Sequence, residues 1–195
     1  MALPLLLFFS LFFVAAFFWP TWRLWKHERV NALVLPYDDT AHGLVGKWFR
    51  GAVLGIFALL AALTLGLSEA ALGPLFWLDG TAVRISGWML LAASLAWVVI
   101  AQAQMGQSWR IGIDAEGPPP LVRAGLFAIS RNPIFLGMRA SLLGLFLVLP
   151  NAVTLAVLLV AETLIQVQVR LEEEHLGQVH GAAYEAYRRS ARRWL

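Results

Sequence analysis

Long apolar blocks dominate the chain, broken by short polar stretches. Five blocks, 3–19, 49–67, 85–103, 133–149 and 152–169, meet or approach the ~20 apolar residues that a helix needs to cross a bilayer. Lipid leaves no partner for a free peptide group, so each block is expected to be helical. Only Pro150-Asn151 separates the last two, which predicts a tight antiparallel hairpin. The expected fold is an all-α integral membrane protein of about five transmembrane helices. The reading is one membrane domain over 1–195, with three N-terminal spans in 1–103 and an interfacial segment at 20–36. The C-terminal half, 104–195, carries a strap loop, the hairpin and a short final helix.

The polar stretches set an orientation. Trp19, Trp22 and Trp25 recur beside Arg23, Lys26 and Arg29, the pattern of rings at headgroup level with cations in water. Lys and Arg crowd the first connection (Arg23, Lys26, Arg29, Lys47), the third (Arg110, Arg123, Arg131) and the tail (Arg188, Arg189, Arg192, Arg193). The second connection has only Arg84, and the fourth has none. This alternation predicts a cytoplasmic C-terminus and an N-terminus outside. The first block lacks a basic leader region, and Phe17-Phe18-Trp19-Pro20 is a poor cleavage site, so it reads as a retained span.

Composition narrows the chemistry. The 195 residues are 59% hydrophobic and 14% charged, against roughly 25% charged in an ordinary soluble domain. There is no cysteine, which excludes disulfides, thiolate nucleophiles and Cys-ligated zinc. His27, His42, His175 and His180 form no metal-ligand spacing, so no metal is expected. The net charge of +3 fits the inner membrane surface, and no basic groove interleaved with aromatics suggests nucleic acid. No G-x-G-x-x-G follows a strand, so any nucleotide-like cofactor must be held by the membrane fold itself.

Charge inside the hairpin is the sharper signal. Counting from Pro150-Asn151, Arg139 lies level with Glu162, Phe135 with Gln166 and Arg131 with Arg170. At ~1.5 Å per residue, Arg139 and Glu162 sit roughly 17 Å from the turn, near mid-membrane. An unpaired charge there costs about 3 to 15 kcal/mol, so the two are expected to pair or to line a polar cavity. Glu162, Gln166, Arg170 and Glu173 follow at i, i+4, i+8 and i+11, one stripe on a helix. A buried clasp explains the pair alone, whereas a polar cleft opening at one membrane face explains the whole stripe. Such a cleft suits a small zwitterionic or cationic molecule, with arginine forks for a carboxylate and carboxylates for an ammonium or ribose diol. Phe127, Phe135, Tyr184 and Tyr187 offer aromatic faces for a base or a sulfonium. Over 104–130, Pro118-Pro119-Pro120 and four glycines describe a stiff strap able to cover a pocket, or an ordinary linker.

Four motifs in order carry a resemblance. They are Leu121-Val122-Arg123-Ala124-Gly125-Leu126-Phe127, Arg131-Asn132-Pro133-Ile134-Phe135-Leu136-Gly137, Glu172-Glu173-Glu174-His175-Leu176, and Gly181 through Tyr187. Spaced around a hairpin, they resemble the isoprenylcysteine carboxyl methyltransferase family, within the wider group that includes phospholipid N-methyltransferases. The resemblance covers the half from Gln104 onward. It implies a membrane methyltransferase using S-adenosylmethionine, which enters from the cytoplasm and meets a lipophilic acceptor from the bilayer. By motif matching it implies a cofactor site of Asp114, Pro120, Leu121, Val122, Phe127, Asn132, Pro133, Phe135, Arg170 and Glu173.

Two positions depart from the family pattern. Asn132 stands for the usual histidine and Phe135 for the usual tyrosine. Asparagine still hydrogen-bonds but takes no proton near neutral pH, which weakens any role as a base there. Direct displacement needs no base for a carboxylate acceptor, and then relies on proximity and desolvation. An amine acceptor needs a proton sink. Arg139 and Glu162 are the candidate catalytic residues, and Gln166 with Arg139 the candidate acceptor contacts. Other readings are a phospholipid N-methyltransferase, a sterol-reductase-like enzyme using NADPH, and a non-catalytic membrane subunit.

Overall fold

The computed structural model describes residues 1–29, 32–34, 40–112 and 119–195. It is an all-α integral membrane fold. The helices are α1 (Ala2–Phe13), α2 (Trp19–Glu28), α3 (Ala41–Thr64), α4 (Thr81–Met105), α5 (Pro133–Val148), α6 (Ala152–His180) and α7 (Ala182–Ser190). Among the described residues, four helical stretches are long and apolar enough to cross a bilayer: Ala2–His27, Ala41–Thr64, Thr81–Ser108 and Ala152–His180. Of the five expected spans, the one over 133–149 is the exception. As α5 it has 16 residues, about 24 Å of helix against a core of about 30 Å. Leu54, Met89 and Leu159 turn outward, as lipid-facing positions do.

The first span runs on into the start of the segment expected at the interface. A π-helical segment, Val14–Phe18, joins α1 to α2 without a break, so the helix continues through Pro20 into the tryptophan belt. Pro20 has no N–H to give the carbonyl of Ala16, four residues back. The side-chain amide of Gln102, from α4, donates to that carbonyl instead. A proline tolerated inside a span is thus matched by a glutamine from a neighbouring helix.

The close packing lies between α4 and α5. A Cβ on Gly137 would stand 2.3 Å from Val98 Cγ2, and one on Gly144 2.8 Å from Leu91 Cγ. On the other helix, a Cβ on Gly87 would stand 2.9 Å from the backbone nitrogen of Val148. Glycines on both sides let the backbones approach, as small residues do between membrane helices. The main apolar cluster joins α1, α3, α5 and α6 through Leu5, Leu60, Leu145 and Ile165. The Trp97 indole donates to the Pro133 carbonyl at 2.9 Å and fixes the start of α5.

Both ends of the bundle are tied. At one end Asn151 caps α6, accepting from the Thr154 N–H at 2.9 Å, while the Thr154 hydroxyl accepts from the Asn151 N–H at 3.3 Å. There Leu75 donates to the Pro150 carbonyl at 2.9 Å, holding the second connection against the hairpin turn. At the other end Leu33–Val34 pairs in parallel with Ile111–Gly112. Gly181, at φ 51°, takes the left-handed turn from α6 into α7, where a side chain would be strained.

Candidate active site

Glu173 is the centre of the site end. It lies three turns beyond Glu162 on α6 and is only 8% exposed. Arg131, just before α5, reaches it through Nε at 3.3 Å and Nη2 at 3.2 Å. Arg193, from the tail, reaches it through Nε at 3.1 Å and Nη2 at 2.7 Å. Asn132 adds its amide Nδ2 at 3.0 Å. A carboxylate offers about four lone-pair sites, so these donors saturate it. Two guanidiniums supply the charge that makes its burial tolerable.

The tail is bound into the same knot. The Arg131 backbone N–H donates to the Arg192 carbonyl at 2.8 Å, and Arg131 Nη1 to the Ala191 carbonyl at 2.6 Å. The Ser130 hydroxyl and Asn132 Nδ2 both donate to the Arg193 carbonyl, at 3.2 and 3.3 Å. From α7 the Tyr187 hydroxyl donates to the Phe127 carbonyl at 2.7 Å, and its ring meets Tyr184 edge-on at 6.1 Å. Burial first, and then the Glu173 charge, push the Tyr184 phenol up to about 12. Burial, then Tyr184, do the same for Tyr187, also to about 12. Hydrogen bonding to Glu173 raises Arg193 above the usual guanidinium range.

A second polar system runs down the hairpin. Arg139 Nε donates to Glu162 Oε2 at 2.7 Å, the pairing expected from their matched depth. Gln166 Nε2 donates to Glu162 Oε1 at 2.8 Å, and Arg170 Nη1 donates to Gln166 Oε1 at 2.9 Å. Arg139, Glu162, Gln166 and Arg170 therefore form a hydrogen-bonded ladder from mid-hairpin to the site end. The pair at its foot stays open, with 29% and 32% of the two side chains exposed. The Trp194 ring lies 4.3 Å from the guanidinium carbon of Arg139.

The other predicted residues divide by element. Leu121 packs with Tyr184 and Tyr187, Val122 with the cluster holding Phe127, and Phe135 with the main cluster. Pro133 is fully buried, and the Pro120 carbonyl accepts from the Ser108 hydroxyl at 3.0 Å. Gly125, at φ 64°, brings the strap against Gln104, whose Oε1 accepts the Leu126 N–H at 2.8 Å. Arg170 bonds along its own helix and not to Glu173. Asp114 lies outside the described residues. Glu172 turns to another face of α6, where Gln168 donates to it at 2.9 Å. Sequence reasoning missed Arg193 and Trp194, having used the tail arginines only for orientation. The sole signal was Arg192-Arg193-Trp194 itself, a basic pair followed by an aromatic. No group of three His, Cys, Asp or Glu side chains among the described residues can hold a metal.

The site is built from α4, the strap, the hairpin and α7, and the model of one family, phospholipid methyltransferase, matches residues 82–183, the greater part of that stretch. The chain belongs to the phospholipid methyltransferase family. Membership supports a membrane methyltransferase of the phospholipid and isoprenylcysteine group. No curated protein and no solved structure matches the chain. The matched residues of this family member include Arg131, Arg139, Glu162 and Glu173, while Arg193 and Trp194 lie beyond them.

Proposed function

We propose that this protein transfers the methyl group of S-adenosylmethionine to a lipophilic or amphiphilic acceptor, in the manner of the isoprenylcysteine carboxyl methyltransferases. The observation that carries the reading is the ladder from Arg170 to Arg139, which starts at the end of the bundle that holds the Glu173 knot. It supports a site reached by a polar donor from one side and a membrane-borne acceptor from the other. The basic connections and tail gather at the knot end, which supports a cytoplasmic site and C-terminus and an N-terminus outside.

The side chains present fit the donor. Arg170 is exposed and bonded only within α6, leaving donors for a carboxylate. The Oδ1 of Asn132 makes no hydrogen bond among the described residues and can accept from an amine or hydroxyl. Leu121 and Val122 are half-buried and offer an apolar wall, with Val122 packed in the cluster that holds Phe127. Glu173, saturated by its donors, acts by holding Asn132 and Arg131 in place. S-adenosylmethionine, when bound, supplies a methyl group on a cationic sulfur, open to attack by a lone pair.

The residues of the hairpin handle the acceptor. Arg139 orients an anionic carboxylate or phosphate, and Gln166 adds an amide contact. The second reading, a phospholipid amine acceptor, is equally compatible with the family match over 82–183. In that case Glu162 is the proton sink for the ammonium, and its bond to Arg139 has to loosen as the proton arrives, because the guanidinium favours the carboxylate. Titrating the purified protein with S-adenosylhomocysteine and, separately, with NADPH tests the proposal. S-adenosylhomocysteine should bind; binding of NADPH alone would overturn it, and binding of neither would point to a non-catalytic subunit.

A further inference from the structure

The Arg139–Glu162 pair stands in the middle of an apolar hairpin, yet about a third of each side chain remains open. Two sides of the space beside it are plain. Helix α5 contributes Phe135 and Arg139, and α6 contributes Glu162 and Gln166. A third side comes from the tail. The Trp194 ring, half-buried against the main apolar cluster, lies 4.3 Å from the guanidinium carbon of Arg139. A charged group near mid-membrane gains from an aromatic face because little water competes for it.

The position of that ring is fixed from both directions. Ser130, Arg131 and Asn132 hold the backbone of residues 191–193 by four hydrogen bonds. The adjacent Arg193 side chain is locked on Glu173 at 2.7 Å. The tail thus ties the Glu173 knot to the foot of the ladder through two consecutive residues, Arg193 and Trp194.

We propose that Trp194 is a specificity-determining residue that closes the acceptor cleft, and that Arg193 is the positioning residue that sets it. This rests on the proposed methyl transfer, because the cleft is the place where the acceptor's polar head meets Arg139 and Glu162. The indole gives that cleft an apolar wall and holds the guanidinium toward Glu162. An acceptor is then selected by how its head fits between indole and ion pair. Asn132, Leu121 and Val122, proposed for the donor, lie in the knot and the strap and not in the tail that carries the indole.

The test compares wild type, W194A and W194F. Donor affinity is read from S-adenosylhomocysteine calorimetry. Acceptor KM is read with two probes, phosphatidylethanolamine vesicles and N-acetyl-S-farnesylcysteine. W194A should raise the KM of the methylated probe about tenfold and narrow the preference between the probes. S-adenosylhomocysteine affinity should change by less than twofold, and W194F should recover most of the acceptor loss. An unchanged acceptor KM, or equal weakening of donor and acceptor, would overturn the proposal. If wild type methylates neither probe, a second readout decides. The chain has no cysteine, so Gln166→Cys is a unique reporter beside the pair. Its labelling by a membrane-permeant maleimide should rise several-fold when W194A is added and should not rise with W194F. No rise with W194A would overturn the closure, whatever the reaction turns out to be.

Discussion

Helix α6 carries two carboxylates that bind arginine, Glu162 and Glu173, in opposite conditions. Glu173 is 8% exposed and receives two arginines and an amide, so its charge is spent on structure. The Glu162 side chain is 32% exposed and faces one arginine through one short bond, with a glutamine on its other oxygen. The first arrangement resists change, because removing a partner leaves a buried carboxylate short of a donor. The second leaves capacity for a ligand. One stripe on one helix therefore holds a joint, a buried carboxylate saturated by donors, and, three turns away, a partly exposed ion pair. Equal helical spacing does not imply equal roles.

Removing the joint should have the largest effect. Glu173→Ala leaves Arg131 and Arg193 facing one another without their shared carboxylate. Breaking a buried pair in this way costs about 3–5 kcal/mol. Loss of stability in detergent should therefore accompany loss of activity, measured by thermal unfolding. A variant that stays as stable as wild type while losing S-adenosylhomocysteine binding would instead make Glu173 a direct ligand.

The pair at mid-membrane should respond in the opposite order. Arg139→Ala should lower methyl transfer by about 10²-fold, the scale of a lost positioned polar group, and should weaken folding as well. The exchange Arg139→Glu with Glu162→Arg should restore much of the stability but little of the activity. Restored activity would reduce the pair to a clasp. Stability below that of Arg139→Ala would show that the cleft needs the arginine on α5 itself.

The smallest effect concerns the tyrosines that flank the joint. Both phenols are raised by burial from about 10 to about 12, so the folded state holds its protons where the unfolded chain has lost them. Their contribution is fully present below pH 10 and is lost as the pH rises toward 12. In that window stability should fall by about 1.4 kcal/mol per pH unit for each tyrosine. Absorbance of the phenolate should appear near pH 12 for Tyr184 and Tyr187. Ionisation of either near pH 10 would mean that α7 is loosely held, and the joint less rigid than its hydrogen bonds imply.

The parts legible in the sequence are those set by short-range rules. Apolar length marks a span because lipid demands internally bonded helices, and Pro150-Asn151 marks the turn because one residue cannot continue a helix and the next caps one. Arg139 and Glu162 could be paired from sequence because both helices rise by the same amount from a known turn. That the first span runs on past Pro20 is not legible locally, since proline normally interrupts a helix. Its continuity depends on Gln102, which lies 86 positions away. The shortness of α5 was visible in outline, because the block over 133–149 already falls below ~20 residues and the helix ends one residue before it.

By itself, then, the sequence determined the helical membrane class, the hairpin, the depth of its buried charges and the order of the motifs. Each follows from local periodicity and from the cost of polar groups in lipid. Only the tertiary structure decided which carboxylate is buried under two arginines and which stays partly exposed. Arg193 and Trp194 belong to a tail whose few residues have no periodicity to read. Their partners, Glu173 and Arg139, are chosen by where α5, α6 and α7 bring the chain together. The family-matched residues carry half of each contact, and the fold supplies the other half from beyond them.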